Sequence, residues 1–398
     1  MQLIGKKQAV AAAVAAVFVS APATLLAQSS VTISGQLTIS LDNVKISGRA
    51  GRSNETRMND ESSEIVFSVT EDLGGGLEAI GRVAMRPTLD AGALSAAGAT
   101  WVGLRSKNWG RLTFGRHDLH YFNRESDLYA RGGSLRADSI SILSYVNGGA
   151  TPIANATRTP NTIHWLSPNW DGFTAIVAYS SATGSTGVEA DIGSTVRRGQ
   201  TWHFNPNFQA PSKQWQVGYS YINGKADGAF TVLNPVPFNS SAGLDQRGDR
   251  LYGSYKWGWF KAGLAWDKSR VKTVTVAATT EISNRTAWSI PLSYTSGNHS
   301  VHADFSKARN DKAAGFSGLD TKANMFALAY VYDLSKRTAL GLTYAKINNG
   351  SAAFYHFFST TVLGGSGSQS PTGVGSTGTG VNAGEDPRLL AARIKHSF

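Results

Sequence analysis

The chain has 398 residues, a formal net charge of +11, 41% hydrophobic and 16% charged residues, 43 glycines and no cysteine. This apolar and aromatic content excludes a disordered chain, and the lack of cysteine excludes a disulfide-stapled miniprotein. Beyond the N-terminal segment no run of about 20 apolar residues occurs, which excludes a helical membrane protein and, with the glycine content, favours an all-β fold.

The N-terminal segment has the three-part pattern of a secretory signal peptide. Lys6 and Lys7 precede an apolar run over residues 9–19, and small residues follow up to Ala27. We predict a signal peptide at 1–27 and a mature chain at 28–398, with Ala23 as a second candidate cleavage position. A membrane anchor is the alternative, but the run is shorter than the roughly 20 residues that a span requires. Because the protein is exported, nucleic-acid binding is not expected.

Hydrophobic residues alternate with polar ones from Val31 onward, with Val31, Ile33, Leu37 and Ile39 on one face. A period of two predicts a β-strand. The same alternation returns in six further segments: 173–180, 215–221, 260–266, 288–294, 326–332 and 340–344. The opposite face of these segments carries Gly, Ser, Thr, Ala or a charge, so each strand has one apolar and one polar side.

Long and short connections alternate strictly along the chain. The long polar segments are 41–62, 87–99, 117–160, 181–195, 223–249, 268–284, 307–322 and 347–387. The tight turns are 71–76, 106–110, 167–172, 205–214, 257–259, 296–299 and 333–337. This alternation is typical of an up-and-down barrel with long loops at one end and short turns at the other, and the number of connections predicts sixteen strands.

Tryptophan and tyrosine residues cluster near the predicted strand ends. They are Trp101, Trp109, Trp165, Trp170, Trp257, Trp259, Tyr294, Tyr330 and Tyr332. We predict that they lie at the two headgroup levels of a membrane, where amphipathic rings are favoured. The alternative, a soluble sandwich with core aromatics, would need a second apolar layer, and no segment has the helical period that could supply one. The polar faces of the strands would then line a water-filled lumen.

Charges on the polar faces suggest an ionic preference. In the segment 77–86, Leu77, Val83 and Met85 share one face, which places Arg82 and Arg86 on the other. Charge on a lipid-facing position costs about 2–4 kcal/mol at mid-depth, so both arginines are predicted to face inward. The same parity predicts that further charged residues face inward. The basic ones are Arg105, Arg111, Lys256, Lys261, Arg393 and Lys395, and the acidic ones are Glu64, Glu78, Asp267 and Asp304. Basic groups predominate, which predicts a preference for anions.

Several segments resemble the general porins of Gram-negative outer membranes, particularly those of β-proteobacteria. Residues 70–79 (TEDLGGGLEA) resemble the second hairpin of that family. Further similar segments follow in order: 102–104, 110–116, 161–173 and 332–338. The C-terminal Phe398 after an alternating strand resembles the family's signature for outer-membrane assembly. The resemblance extends over nearly the whole chain, and the order of the motifs makes it specific.

The resemblance implies a sixteen-stranded antiparallel transmembrane β-barrel with short periplasmic turns and long extracellular loops. It implies a homotrimer in the outer membrane, surrounded by lipid and lipopolysaccharide and inserted by the barrel assembly machinery through Phe398. The third long loop, 117–160, would fold into the lumen and narrow it, and 347–387 would be a Gly/Ser-rich surface loop. Such a channel passes small hydrophilic solutes and ions by diffusion and needs no cofactor, metal or catalytic residue.

The resemblance also suggests which residues form the constriction. Arg116 and Arg158 match basic positions of the family, although Arg116 shares parity with Phe114 and needs a bulge to face inward. Glu64 stands where the family often has arginine, and we expect Arg82 and Arg86 to take over that role. The infolded loop would contribute carboxylates opposite these bases, which would set a transverse field. They are Glu125, Asp127 and Asp138.

Three other functions are compatible with parts of the pattern. A solute-specific channel would show aromatic side chains along the inner wall. An outer-membrane barrel enzyme would carry a Ser/His/Asp group at its rim, although such enzymes generally have smaller barrels. A secreted adhesin would leave the cell without detergent.

Overall fold

A computed structural model of the protein describes residues 29–48, 53–95, 98–120, 138–146, 151–152, 158–181, 200–225, 242–275, 278–357 and 381–398. The predicted signal peptide, 1–27, lies outside these residues. The described strands of the first half are β1 (Ser30–Ser47), β2 (Asn54–Asp60), β3 (Glu64–Gly74), β4 (Leu77–Thr88), β5 (Ala93–Ser95), β6 (Thr100–Ser106), β7 (Gly110–His117), β8 (Tyr145–Val146), β9 (Thr151–Pro152), β10 (Thr159–Leu166) and β11 (Phe173–Ser180). Those of the second half are β12 (Gln200–Gln209), β13 (Trp215–Lys225), β14 (Ala242–Trp257), β15 (Phe260–Thr275), β16 (Thr279–Ser296), β17 (His299–Ala308), β18 (Ala323–Asp333), β19 (Thr338–Asn349) and β20 (Asp386–Ser397).

The strands close into one antiparallel barrel. Each wall strand pairs with its neighbours in the chain, and β1 pairs with β20 from Gln36↔Ser397 to Ser47↔Asp386. β2 and β3 together form the second wall strand because both pair with β1, and β5 and β6 together form the fourth because both pair with β4. β8 and β9 form a separate small hairpin. The predicted sixteen-stranded barrel is therefore confirmed.

Two short helical segments occur among the described residues. They are the helix α1 (Ile140–Leu143) and a 3₁₀ turn (Ala314–Phe316). Neither these nor any other helix in the described ranges has the length and apolarity that a membrane crossing would require.

The seven predicted tight turns all connect consecutive wall strands at one rim, but the turn predicted at 205–214 starts only after Gln209, where β12 ends. Four long segments were predicted with wrong bounds, because strands continue into 41–62, 87–99, 223–249 and 268–284. There β1 reaches Ser47 and β15 reaches Thr275. The alternation of apolar and polar residues fades where a strand leaves the hydrocarbon and both faces meet water, so periodicity underestimates these strands.

The outer and inner faces of the wall follow the predicted parity. On the outside, Leu251, Leu264 and Leu342 are each more than half exposed on the isolated chain. On the inside, Ser220 and Ser269 are fully buried. Large apolar side chains outside and small polar ones inside suit a barrel between lipid and a wet lumen.

Aromatic residues mark the rim of the short turns, as predicted. Trp109, Trp170, Trp257 and Trp259 lie in or beside turns and are 37–62% exposed. Trp101 was wrongly assigned to this belt. Its neighbour Val102 is 63% exposed on the outer face, so Trp101 faces the lumen.

The barrel seam depends on Gly35. Its backbone exchanges two hydrogen bonds with Phe398, Gly35 N to Phe398 O at 3.0 Å and Phe398 N to Gly35 O at 3.1 Å. A Cβ at Gly35 would lie 2.2 Å from the Glu64 backbone oxygen and 3.0 Å from Phe398 Cζ. The seam can close only because position 35 lacks a side chain.

We therefore expect Gly35→Ala to destabilise the closed barrel by about 1–3 kcal/mol, the usual cost of overpacking. The measurement is the temperature at which the folded, fast-migrating form converts to the unfolded form on a gel. Gly81→Ala is the matched control, because a Cβ there would meet nothing closer than 3.8 Å. Equal conversion temperatures for the two variants would contradict the importance of this seam.

Candidate functional site

The described part of the predicted loop 117–160 includes a helix that lies against the far side of the barrel. The loop leaves the wall after His117 in β7, the fifth wall strand, and its helix α1 contacts β16, β17 and β18, the twelfth to fourteenth. These strands lie nearly opposite β7 in a barrel of sixteen. Helix α1 therefore lies inside the barrel, against the wall opposite β7, as expected for a loop that folds inward.

A buried guanidinium attaches the loop to the far wall. Arg285 Nη1 donates to Ile142 O at 2.5 Å, and Arg285 Nη2 donates to Leu143 O at 2.9 Å. Carbonyls at a helix C-terminus have no intrahelical partner, so a cation there satisfies them. Arg285 is thus a clamp between strand β16 and the end of α1.

Arg285 belongs to a buried ionic network, which we call the latch and define as Arg250, Asp267 and Arg285. Asp267 Oδ2 accepts from Arg250 Nη2 at 3.2 Å, and Asp267 Oδ1 accepts from Arg285 Nη2 at 3.2 Å. Ser269 Oγ donates to the same carboxylate at 2.7 Å. All three charged side chains are fully buried, which is tolerated only when each charge is paired.

Asp138 has a different place from the one predicted. It was expected to line the pore, but it is 5% exposed and lies just before α1. Its Oδ1 accepts from the Ile140 backbone N–H at 3.1 Å and from Ser139 Oγ at 3.3 Å. A carboxylate there satisfies a free amide of the first helical turn, so Asp138 helps to shape the loop. The other predicted loop acids, Glu125 and Asp127, lie outside the described residues.

On the near wall, two predicted arginines surround the predicted glutamate. Arg82 Nη2 lies 3.0 Å from Glu64 Oε1, and Arg86 Nη2 lies 3.4 Å from the same oxygen. Arg86 Nη1 also donates to Ser62 Oγ at 2.8 Å. β3 and β4 place them so because Ser68 pairs with Arg82 in the register, which sets Glu64 and Arg86 nearby on the same face.

The other two predicted arginines extend this group. Arg158 Nε lies 3.0 Å from Asp118 Oδ1, and both Arg86 and Arg116 interact electrostatically with this pair. Next to Arg116, Gly115 has a φ of +144°, and the pairing of β7 with β10 shifts between Thr159 and Thr162. The extra residue of this irregularity lies on β10, whereas β7 keeps a regular register with β6, in which Phe114 pairs with Val102 and Arg116 with Thr100. The bulge in β7 that Arg116 was predicted to need is therefore not seen, and Arg116 joins the group through its electrostatic interactions. We call Arg82, Arg86, Arg116 and Arg158, with Glu64 and Asp118, the basic cluster.

The inward acids predicted on the second half of the barrel do not balance the basic cluster. Asp267 is held in the latch and is 0% exposed. Asp304 is 4% exposed and accepts from Ser289 at 3.2 Å and from Ser306 at 2.6 Å. Both face inward as parity predicts, but the loop and its neighbours cover them.

Sequence reasoning missed a row of rings beside the basic cluster. The Trp101 and His117 rings are nearly parallel at 5.9 Å between centroids, and His117 stacks on His164 at 4.5 Å. The Arg111 guanidinium lies over the Trp101 ring, 5.1 Å from its centroid. The alternation of Trp101 with the outward Val102 is the sequence signal that could have identified the inward position of this ring.

The start of the last long loop is a second feature that the sequence did not reveal. Within the predicted surface loop 347–387, Tyr355 and Phe357 are each 1% exposed and belong to one apolar cluster with Ile142 and Leu143 of α1. This part of the segment covers the infolded loop from within the barrel. Residues 358–380 lie outside the described part of the chain.

A closed sixteen-stranded barrel with an apolar exterior, a polar interior and a loop across the lumen defines a membrane diffusion channel. Comparison with known proteins gives the family. Residues 9–352 match the family of Gram-negative porins, so the chain belongs to that family. An outer membrane porin protein of Bordetella pertussis is 27% identical over 312 residues, which cover 68% of this chain and 73% of that protein. The protein is thus an outer-membrane porin.

Solved structures show the same fold. The anion-selective porin from Comamonas acidovorans aligns with a TM-score of 0.69 at 20% identity, covering 93% of this chain and 100% of that one. A trimer form of OmpT from Vibrio cholerae aligns with a TM-score of 0.62 at 13% identity, covering 93% and 99%. Family and fold point to a channel rather than an enzyme.

Proposed function

We propose that this porin is an anion-preferring diffusion channel for small hydrophilic solutes and that the basic cluster forms its selective constriction. The observation that carries the proposal is the charge of the cluster, which contains four guanidiniums and two carboxylates. A cleft lined mainly by one sign of charge concentrates ions of the opposite sign. The anion-selective Comamonas porin, which shares the fold, is consistent with this preference.

The remaining parts of the proposal concern assembly. We include a signal peptide at 1–27, a homotrimer in contact with outer-membrane lipid and lipopolysaccharide, and recognition of Phe398 by the barrel assembly machinery. The trimer form of the Vibrio relative supports the oligomer. The channel conducts without catalysis and without a cofactor, since passive diffusion needs only a wet passage and lining charges.

The test is the reversal potential of the purified mature protein in a planar bilayer under a KCl gradient. We expect a sign that shows chloride preference. Arg82→Gln combined with Arg86→Gln should move the potential towards zero, because it leaves two guanidiniums against two carboxylates. Glu64→Gln should move it the other way. Cation preference of the unaltered protein would overturn the proposal.

Arg105→Gln is the matched control for these variants. Arg105 also faces inward and pairs with a carboxylate, Glu78, at 2.5 Å, but its side chain is 48% exposed near the turn rim. Water and salt screen such a charge, so the control should change the reversal potential less than the variants in the cluster. An equal change from Arg105→Gln would mean that selectivity does not arise in the basic cluster.

A further inference from the structure

Trp101 lies in one row of inward positions with Arg82. The register pairs Arg82 of β4 with Trp101 of β6, and Trp101 with Gly115 of β7. Directly opposite residues in an antiparallel pair have Cβ atoms about 4.5–5.5 Å apart, so the indole begins beside the Arg82 side chain. The row therefore sets an aromatic ring against the edge of the basic cluster.

Gly115 lets the backbone of β7 approach Trp101 closely from the other side. A Cβ at Gly115 would lie 2.8 Å from Trp101 Cα and 3.0 Å from Trp101 Cβ, and its φ of +144° favours glycine. The ring itself is partly exposed. His117 is nearly parallel to it, with 8° between the ring planes. The inner wall thus presents an indole whose position is fixed by its neighbours.

Two guanidiniums flank this indole. Arg111 lies over the ring at 5.1 Å, and Arg82 remains 31% exposed although it donates to Glu64. Guanidinium groups bind carboxylates through charge-assisted, often bidentate hydrogen bonds. Aromatic rings add an attraction that depends on a flat partner and that a saturated ring of the same size does not provide.

We propose that Trp101, Arg82 and Arg111 form a subsite for aromatic carboxylates in the channel. The carboxylate is held by a guanidinium, and the aromatic ring of the ligand packs against the exposed part of the indole beside Arg111 and His117. The subsite rests on the proposed anion preference and adds to it a selection for planar anions among carboxylates of similar size. An aliphatic or saturated cyclic carboxylate meets the same charges but gains no stacking.

The experiment compares benzoate with cyclohexanecarboxylate, which has the same charge and nearly the same size but no flat ring. Each is added to the full mature protein in a planar bilayer, and the concentration that halves the chloride current is measured. A stacking contact corresponds to about fivefold in affinity, so benzoate should block at an about fivefold lower concentration. Trp101→Leu should abolish this difference between the two acids, and Trp101→Phe should keep part of it.

Trp266→Leu is the matched control, since Trp266 is an outward-facing tryptophan with 43% exposure. It should retain the full difference. Gel mobility before and after heating confirms that each variant is folded. Equal block by the two acids in the unaltered protein, or an undiminished difference in Trp101→Leu, would overturn the subsite.

The KCl reversal potential of the same bilayers separates this proposal from the one before it. If the unaltered protein prefers cations, the proposed function fails. If it prefers chloride but does not distinguish benzoate from cyclohexanecarboxylate, the proposed function stands and only the subsite fails.

Discussion

Asp267→Asn is expected to release the infolded loop and to raise the single-channel conductance. The change keeps the size of the side chain but removes the charge of the carboxylate that Arg250 and Arg285 both contact. Removing one partner of a buried ion pair costs about 3–5 kcal/mol, because the other charge stays desolvated. The least costly way to rehydrate Arg285 is to separate it from the carbonyls of Ile142 and Leu143, which frees α1 from the wall.

Planar-bilayer recordings measure this effect as larger steps with more current fluctuation. Asp320→Asn is the control: this carboxylate also pairs with a cation, Lys322 at 3.1 Å, but its side chain is 37% exposed in a loop. Exposed pairs contribute little, so this variant should behave as the unaltered protein. Unchanged conductance and fluctuation in Asp267→Asn would show that the apolar cluster around α1 holds the loop without the latch.

Acidification is expected to loosen the same loop through His120. This histidine is fully buried at the start of the loop, where its Nδ1 lies 2.7 Å from Ser220 Oγ and its Nε2 lies 3.9 Å from Asp267 Oδ2. Burial, followed by the charges of Arg250 and His203, holds the pKa of His120 well below its ordinary value of 6.5. Asp267 does not reverse this effect, because two arginines already share its charge.

The sign follows from proton linkage. Below pH 6.5, His120 binds a proton when it is exposed to solvent but stays neutral when it is buried. The state in which it is buried therefore loses stability as the pH falls. The loss is at most about 1.4 kcal/mol for each pH unit. We expect fluctuations of the current to increase below that pH and His120→Gln to weaken this dependence.

His299→Gln provides the control, because His299 is exposed near the turn rim and contacts Tyr330. It should leave the pH profile as it is. A profile that is the same with and without His120 would assign the acid response to other groups.

The sequence predicted the wall better than the lumen. Parity alone placed Arg82 and Arg86 inward, because each strand position has only two possible directions and charge is excluded from the lipid face. It did not place Asp138, since a loop has no period and the role of that carboxylate depends on the helix that follows it. Trp101 was misplaced for another reason. Its position near a strand end predicts a place in the aromatic belt, whereas its alternation with the outward Val102 predicts that it faces the lumen.

Contacts between distant segments were the least predictable part of the site. The latch joins Arg285 to carbonyls about 140 positions earlier in the chain, and backbone carbonyls carry no signature in the sequence. The packing of Tyr355 and Phe357 against α1 was hidden because the surrounding segment is rich in Gly, Ser and Thr. The average composition of residues 347–387 predicted a surface loop, whereas Tyr355 and Phe357 place its first part against α1.

The unequal lengths of the wall strands give the channel mouth a direction. β14 and β15 have 16 residues each and β16 has 18, whereas β7, β10 and β11 have 8 each. At about 3.3 Å per residue the long strands measure roughly 50–60 Å and the short ones roughly 26 Å, against an apolar band about 25 Å tall. Among the described strands, the wall is therefore higher at β14, β15 and β16, on the side of the latch, than at β7, β10 and β11, on the side of Arg116 and Arg158. A solute that enters over the lower side meets the basic cluster first. On the higher side, the long strands continue their backbone hydrogen bonding beyond the apolar band.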